Sequence, residues 1–477
     1  MKNMKFYHVK SAIYSGAFLA FVFLLSGCEN PAVTNVNVSP NTNASIVTNT
    51  NVANTAPVNN KTAAALPVTL PVMDAMFFDE SFKAELKTKL QLSDEQIEKL
   101  KTVSREAVGN LGETEDDNYA GSTRAATKRA EDQILAILGD DKTNQLFELV
   151  RNRWSSGETE MTSAAKPNAI PTDTRIVVNA PAYRMDAFQD GKLVKTYKIG
   201  IGYPEFPLPS GMRKADTIIF NPTWTPPDEP WVKGNIKAGQ KVEAGDKLNP
   251  LGPIKIPIGL PSLIHGGKNP ARLGTFASHG CVGLTNAQVQ DFSLVLSQIS
   301  GTQLTPEEIK NYEKQKTETK NFKLNAPIQI ELRYETIVVE DGKLKIFRDV
   351  YEKGTNTVEN LRGVLDAYGV SFDSLTEPER QKITAALSDM NKDAQGNLIV
   401  ENIGNSANTS AGNMNSMNRN SNSANKNQNS NSQAKNSNSG DGSVTRTIKG
   451  KKEVIIELAQ LKGKGYPAAV ALNSGGK

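Results

Sequence analysis

The chain of 477 residues has little of several things that other proteins are built on. It holds two cysteines, Cys28 and Cys281, which excludes a disulfide scaffold. It holds three histidines, His8, His265 and His279. Aromatic residues make up 6% and hydrophobic residues 38%, low values for one compact globule. The polar excess sits in two Asn-rich tracts, and what remains is long enough for several buried cores. The formal charge is +4, and it falls to +1 once Lys2, Lys5 and Lys10 are set aside with the leader described next. So near-neutral a chain carries no nucleic-acid footprint. Past the N-terminal segment, no run is apolar and long enough to span a bilayer.

The N-terminus reads as an address. Lys2, Lys5 and Lys10 form a basic region, Ala17 to Leu25 an apolar one, and Ser26, Gly27 and Cys28 follow. This is the pattern of a secretory signal over residues 1–27. Leu25-Ser26-Gly27-Cys28 resembles a bacterial lipobox. The resemblance implies cleavage before Cys28 and acylation of its thiol. Each buried methylene of such a chain contributes about 0.8 kcal/mol to membrane attachment. The expected location is the cell envelope, lipid-anchored to a membrane and facing the periplasm or cell wall, with inner and outer membrane both open. A lipidated Cys28 cannot pair with Cys281, which leaves Cys281 a lone thiol in an exported chain.

Composition divides the rest. Residues 28–74 begin with an Asn, Thr, Val and Pro-rich stretch without period, which reads as a disordered tether. Residues 75–160 read as a helical domain: Phe78, Phe82, Leu86 and Leu90 recur at helical spacing, and Ser93 with Gln96 forms a capping box. Residues 172–352 read as mainly β. Arg175–Val178 is a strand, and Asp190-Gly191 and Asp341-Gly342 mark hairpins. Residues 353–400 turn helical again, with Val358, Leu361, Val364, Leu365, Ile383 and Leu387 in register. Residues 404–443 are an Asn/Ser tract that cannot form a core. Residues 444–477 make a short basic and apolar end. The expected fold class is α+β and multidomain, with a mainly-β catalytic domain flanked by helical regions and disordered Asn-rich linkers.

The chemistry clusters in one short segment. It reads Ile264-His265-Gly266-Gly267, then Leu273-Gly274, then Ser278-His279-Gly280-Cys281-Val282-Gly283. With His8 removed in the leader, this segment holds every remaining histidine and the only unlipidated cysteine. A free thiol is mostly protonated at neutral pH, and an imidazole beside it can take the proton. The thiolate then attacks an acyl carbonyl, and Gly280 lets the backbone come close enough for amides around Cys281 to bind the oxyanion.

A His-Gly pair, a short spacer and Ser-His-Gly-Cys resemble the signature of the L,D-transpeptidase catalytic domain, also called YkuD. Further landmarks agree: Pro207-Leu208-Pro209-Ser210-Gly211, Asn221-Pro222-Thr223-Trp224-Thr225-Pro226-Pro227, and Asn249-Pro250-Leu251-Gly252. Ala326-Pro327 and the strands running to Asp349 and Tyr351 resemble its closing β segment. The sequence departs from the family at Gly267, often Thr, and at Gly283, usually Arg or Asn. The resemblance implies that Cys281 is the nucleophile and His265 the proton acceptor and donor. It implies substrate-binding or oxyanion-supporting roles for His279, Gly280, Ser278 and Gly266, with the Gly266 carbonyl orienting the His265 ring.

The implied activity is acyl transfer on peptidoglycan stem peptides through a cysteine thioester. It forms 3→3 crosslinks or related transfers in cell-wall biosynthesis and organisation, and so bears on cell shape. Hydrolysis by an L,D-carboxypeptidase, or attachment of a protein to peptidoglycan, uses the same thioester. A non-enzymatic wall-binding lipoprotein is the alternative of a different class. No cofactor is implied. A metal site built on Cys281, His265 and His279 would have only three ligands and no second cluster, so no metal is expected.

Overall fold

The computed structural model describes residues 67–109, 122–154, 166–225, 241–259, 262–399 and 447–470. The leader, Cys28, the Asn-rich tether and the Asn/Ser tract lie outside the described residues.

Five helices come first: α1 (Leu70–Met76), α2 (Glu80–Lys89), α3 (Asp94–Gly109), α4 (Thr123–Leu138) and α5 (Asp140–Trp154). Their ends follow local chemistry. Thr69 caps α1, Asp79 caps α2 and Ser122 caps α4, each side chain accepting from a backbone N–H of the first turn. The Ser93–Gln96 box closes at the start of α3, with reciprocal bonds of 3.1 and 3.2 Å. Phe82, Leu86 and Leu90 are buried with Leu100, Ile134, Leu146 and Trp154 in one core. Phe78 does not join them. It falls in the turn between α1 and α2 and is 54% exposed.

The next region is built on an eight-stranded sheet. In chain order its strands are β1 (Arg175–Asn179), β2 (Arg184–Gln189), β3 (Lys192–Lys198), then a short β4 (Ile201–Gly202), β5 (Gly211–Phe220), β6 (Ile254–Pro257), β7 (Leu263–His265), β8 (Phe276–Ser278) and β9 (Val282–Gly283). Helices α6 (Asn286–Ile299) and α7 (Pro306–Lys314) follow, then the long β10 (Lys320–Arg333). The sheet runs β3-β2-β1-β10-β5-β6-β7-β9, and β4 pairs separately with β8. β10 is the spine, parallel to β1 and antiparallel to β5. The Asp190-Gly191 turn joins β2 to β3 with both residues at positive φ, +49° and +77°; this is the twist that suits a tight hairpin. Helix α6 was not expected from the sequence. It lays Val289, Phe292 and Leu296 onto the sheet.

The third region departs from the expected layout. Strands β11 (Ile337–Glu340) and β12 (Lys343–Phe347), read from sequence as part of the catalytic domain's closing β segment, form a hairpin in a separate sheet, where β12 also pairs with β13 (Glu453–Glu457). Helices α8 (Val358–Ala367) and α9 (Glu377–Met390) cover that small sheet, and Leu361, Leu365, Ile383, Leu387, Ile456 and Leu461 share its core. The helical segment and the C-terminal segment are thus one module with the hairpin.

The helical region is fastened to the loop after β4. The Thr123 hydroxyl donates to the Pro204 carbonyl at 2.8 Å, and the Thr69 hydroxyl to the Glu205 carbonyl at 2.6 Å. Val108 of α3 enters the core of the large sheet. Among the described residues, no helix is long and apolar enough to cross a membrane.

Candidate active site

His265 ends β7, and Cys281 stands just before β9. These strands are parallel neighbours, with Ile264 opposite Val282 and His265 opposite Gly283. Side chains alternate along a strand, so His265 and position 283 share a face, and Cys281 stands in the bend that enters β9, two residues before that position. Segments that carry residues 16 apart in sequence are thereby brought together at the sheet's edge.

The imidazole is buried, and its Nδ1 lies 2.7 Å from the Gly266 carbonyl oxygen. A carbonyl only accepts, so in the neutral ring Nδ1 carries the proton and Nε2 is the basic nitrogen. The Leu251 carbonyl also faces the ring. The Asn-Pro-Leu-Gly landmark supplies that carbonyl for a local reason. Asn249 accepts from the Leu251 N–H at 3.1 Å and donates to the Pro222 carbonyl at 2.8 Å, which ties two landmark loops together. Gly252 packs against the loop after His265: a Cβ there would lie 2.4 Å from the Gly267 nitrogen. The Gly267 N–H is held at 2.7 Å by Asn286, from the first turn of α6.

Charge sets the resting state. Burial first, then the neighbouring Lys268 charge, hold the His265 pKa down at about 3, against the pull of the Gly266 and Leu251 carbonyls and with a smaller push from Lys255. Burial pushes the Cys281 thiol up, while the Leu263 N–H and Lys268 act in the other direction. At neutral pH the pair rests as thiol and neutral imidazole.

The loop before β9 is tightly held. The Ser278 hydroxyl donates to the Cys281 carbonyl at 2.6 Å and accepts from the Cys281 N–H at 3.0 Å. The Cys281 amide is thus engaged within its own loop. The Gly280 N–H has no acceptor among the described residues. Gly280 takes φ +86°, a left-handed conformation that glycine adopts without strain, and its carbonyl accepts from Ser262 at 2.9 Å. His279 stands edge-on between Tyr203 and Phe206, with ring centroids 5.1 and 4.7 Å away.

Residues 173–298 match the family model of the YkuD L,D-transpeptidase catalytic domain. This stretch is a YkuD domain. Among solved structures, the chain resembles the catalytic domain of the Enterococcus faecium L,D-transpeptidase at 18% identity and TM-score 0.21, covering 35% of this chain and 100% of that one. It resembles a longer E. faecium L,D-transpeptidase mutant at 16% identity and TM-score 0.20, covering 34% of this chain and 50% of that one. It resembles an L,D-transpeptidase from Mycobacterium smegmatis at 14% identity and TM-score 0.20, covering 34% of this chain and 58% of that one. No curated protein matches the chain. The described residues contain no group of three or more His, Cys, Asp or Glu side chains that could hold a metal ion.

Sequence reasoning passed over Leu251, Ser262, Lys268, Tyr203, Phe206 and Asn286. The Asn-Pro-Leu-Gly landmark pointed to Leu251. The others became neighbours of the site only through the fold.

Proposed function

We propose that the YkuD domain of this chain transfers acyl groups between peptidoglycan stem peptides through a thioester on Cys281. The observation that supports the reading is the β7–β9 register, which brings the strand ending in His265 beside the strand that Cys281 leads into, within a matched YkuD domain. As Sγ attacks the carbonyl after the third residue of a tetrapeptide stem, Nε2 of His265 takes the thiol proton. The Gly280 N–H receives the developing oxyanion. The tetrahedral intermediate collapses, the C–N bond to the terminal D-Ala breaks, and the imidazolium returns its proton to the departing nitrogen. An amine of a second stem then attacks the thioester and gives its extra proton to His265. The C–S bond breaks and Sγ regains a proton, leaving a 3→3 crosslink. The neutral resting pair suits this sequence, because the proton moves only as attack proceeds.

The same reading places the enzyme in the envelope, tethered through a lipid on Cys28, with stem peptides as partners and neither metal nor cofactor in the reaction. The test is mass spectrometry of the chain after incubation with a tetrapeptide-stem donor, and separately with a carbapenem. A covalent adduct is expected on the peptide containing Cys281 and is expected to disappear in Cys281→Ala. An adduct of equal yield in Cys281→Ala would overturn the mechanism. Released D-Ala without a crosslinked product would favour hydrolysis.

A further inference from the structure

Gly283 takes no positive φ, so backbone conformation does not explain why glycine stands there. Space does. A Cβ at Gly283 would lie 2.8 Å from Cγ of Lys268 and 3.0 Å from its Cε, so the lysine stem crosses β9 where a side chain would stand. The Lys268 backbone is fixed for this, its N–H donating to the Leu284 carbonyl at 3.0 Å. Gly283 opposes His265 in the strand register, so the stem lies on the face of the sheet that carries His265.

We propose that Lys268 is a specificity-determining residue whose ammonium, carried across Gly283, receives a carboxylate of the acyl donor beside the nucleophile. The inference rests on the acyl-transfer reading of Cys281. One fact supports it beyond the packing. The Lys268 charge acts on both Cys281 and His265, which places it within electrostatic reach of both. The domain also gives the cation a glycine to cross, so the lysine approaches the catalytic face without a competing side chain. A stem peptide ends in a carboxylate one residue past the bond under attack, the distance over which such a charge selects.

The test needs no transpeptidation, so its failure is distinct from failure of the acyl-transfer reading. Full-length protein is alkylated with iodoacetate, which is anionic, and with iodoacetamide, which is neutral. Modification is followed on the peptide containing Cys281. In the wild type the iodoacetate-to-iodoacetamide rate ratio should fall as salt is raised, because screening weakens the attraction. Lys268→Met should lower the ratio roughly tenfold, and Lys268→Arg should restore it. Gly283→Ala keeps the lysine but forces its stem aside, and should lower the ratio as well. A ratio that is insensitive to salt in the wild type and unchanged in Lys268→Met would overturn the proposal. Should Lys268→Met fail to fold, the wild-type salt series and Gly283→Ala decide it. Loss of the ratio in Lys268→Arg equal to that in Lys268→Met would also count against a charge-based role.

Discussion

Ser278→Ala tests how much of the site's chemistry depends on a hydroxyl bonded to the backbone of Cys281. Ser278 is buried and both donates to and accepts from the backbone of Cys281, at 2.6 and 3.0 Å. Alanine removes both bonds at once. A buried backbone group left without a partner costs about 1–3 kcal/mol. A domain of this size loses roughly 2–4 °C of melting temperature per kcal/mol, so a fall of several degrees is expected. If the same free energy holds the thiol in position, adduct formation at Cys281 should slow roughly ten- to a hundred-fold. The hydroxyl holds the backbone of Cys281, so the loss should fall on the rate more than on donor binding. The assay is thermal unfolding by circular dichroism beside single-turnover adduct formation followed by mass spectrometry. A Ser278→Ala protein that melts with the wild type and reacts within twofold of it would refute the reasoning.

Further outcomes follow from burial and packing. His265 has a folded pKa of about 3 against an ordinary value of 6.5. Below about pH 6.5 the unfolded chain therefore binds a proton that the folded chain does not, and stability falls as pH drops, by up to about 1.4 kcal/mol per unit. Denaturant titrations from pH 7 to 4 should show a shallower slope in His265→Gln, and equal slopes would contradict the buried neutral imidazole. Glu205 has the opposite sign: burial raises its pKa to about 7 from 4.5, so the folded state keeps its proton longer and stability falls as pH rises across that window. Glu205→Gln should consequently gain on the wild type between pH 6 and 8; a constant difference across that range would sink the assignment. Gly252→Ala, with φ +67° and a Cβ only 2.4 Å from the Gly267 nitrogen, should displace the Leu251 carbonyl from His265. It should cost several kcal/mol of stability, and a melting temperature equal to the wild type's would show the loop to be slack.

The sequence by itself determined the local punctuation and the clustering of the candidate chemistry. Cys281, His265 and His279 fall in one segment. Asp190-Gly191, Asp341-Gly342 and Ser93 with Gln96 announce their turns and cap, because positive φ and capping hydrogen bonds are decided within a few residues. Helix α6 was legible too, in the Thr285–Gln288 capping box and the spacing of Val289, Phe292 and Leu296, but it was passed over in a region read as strands. Only the tertiary structure decided three things. It paired β13 with a hairpin more than a hundred residues earlier in the chain, because strand partners are chosen by shared cores and not by sequence distance. It fastened Thr69 and Thr123 of the helical region to the loop whose Tyr203 and Phe206 hold His279. It also laid Lys268 across Gly283, a neighbourhood set by the parallel register of β7 and β9, which composition and spacing do not encode.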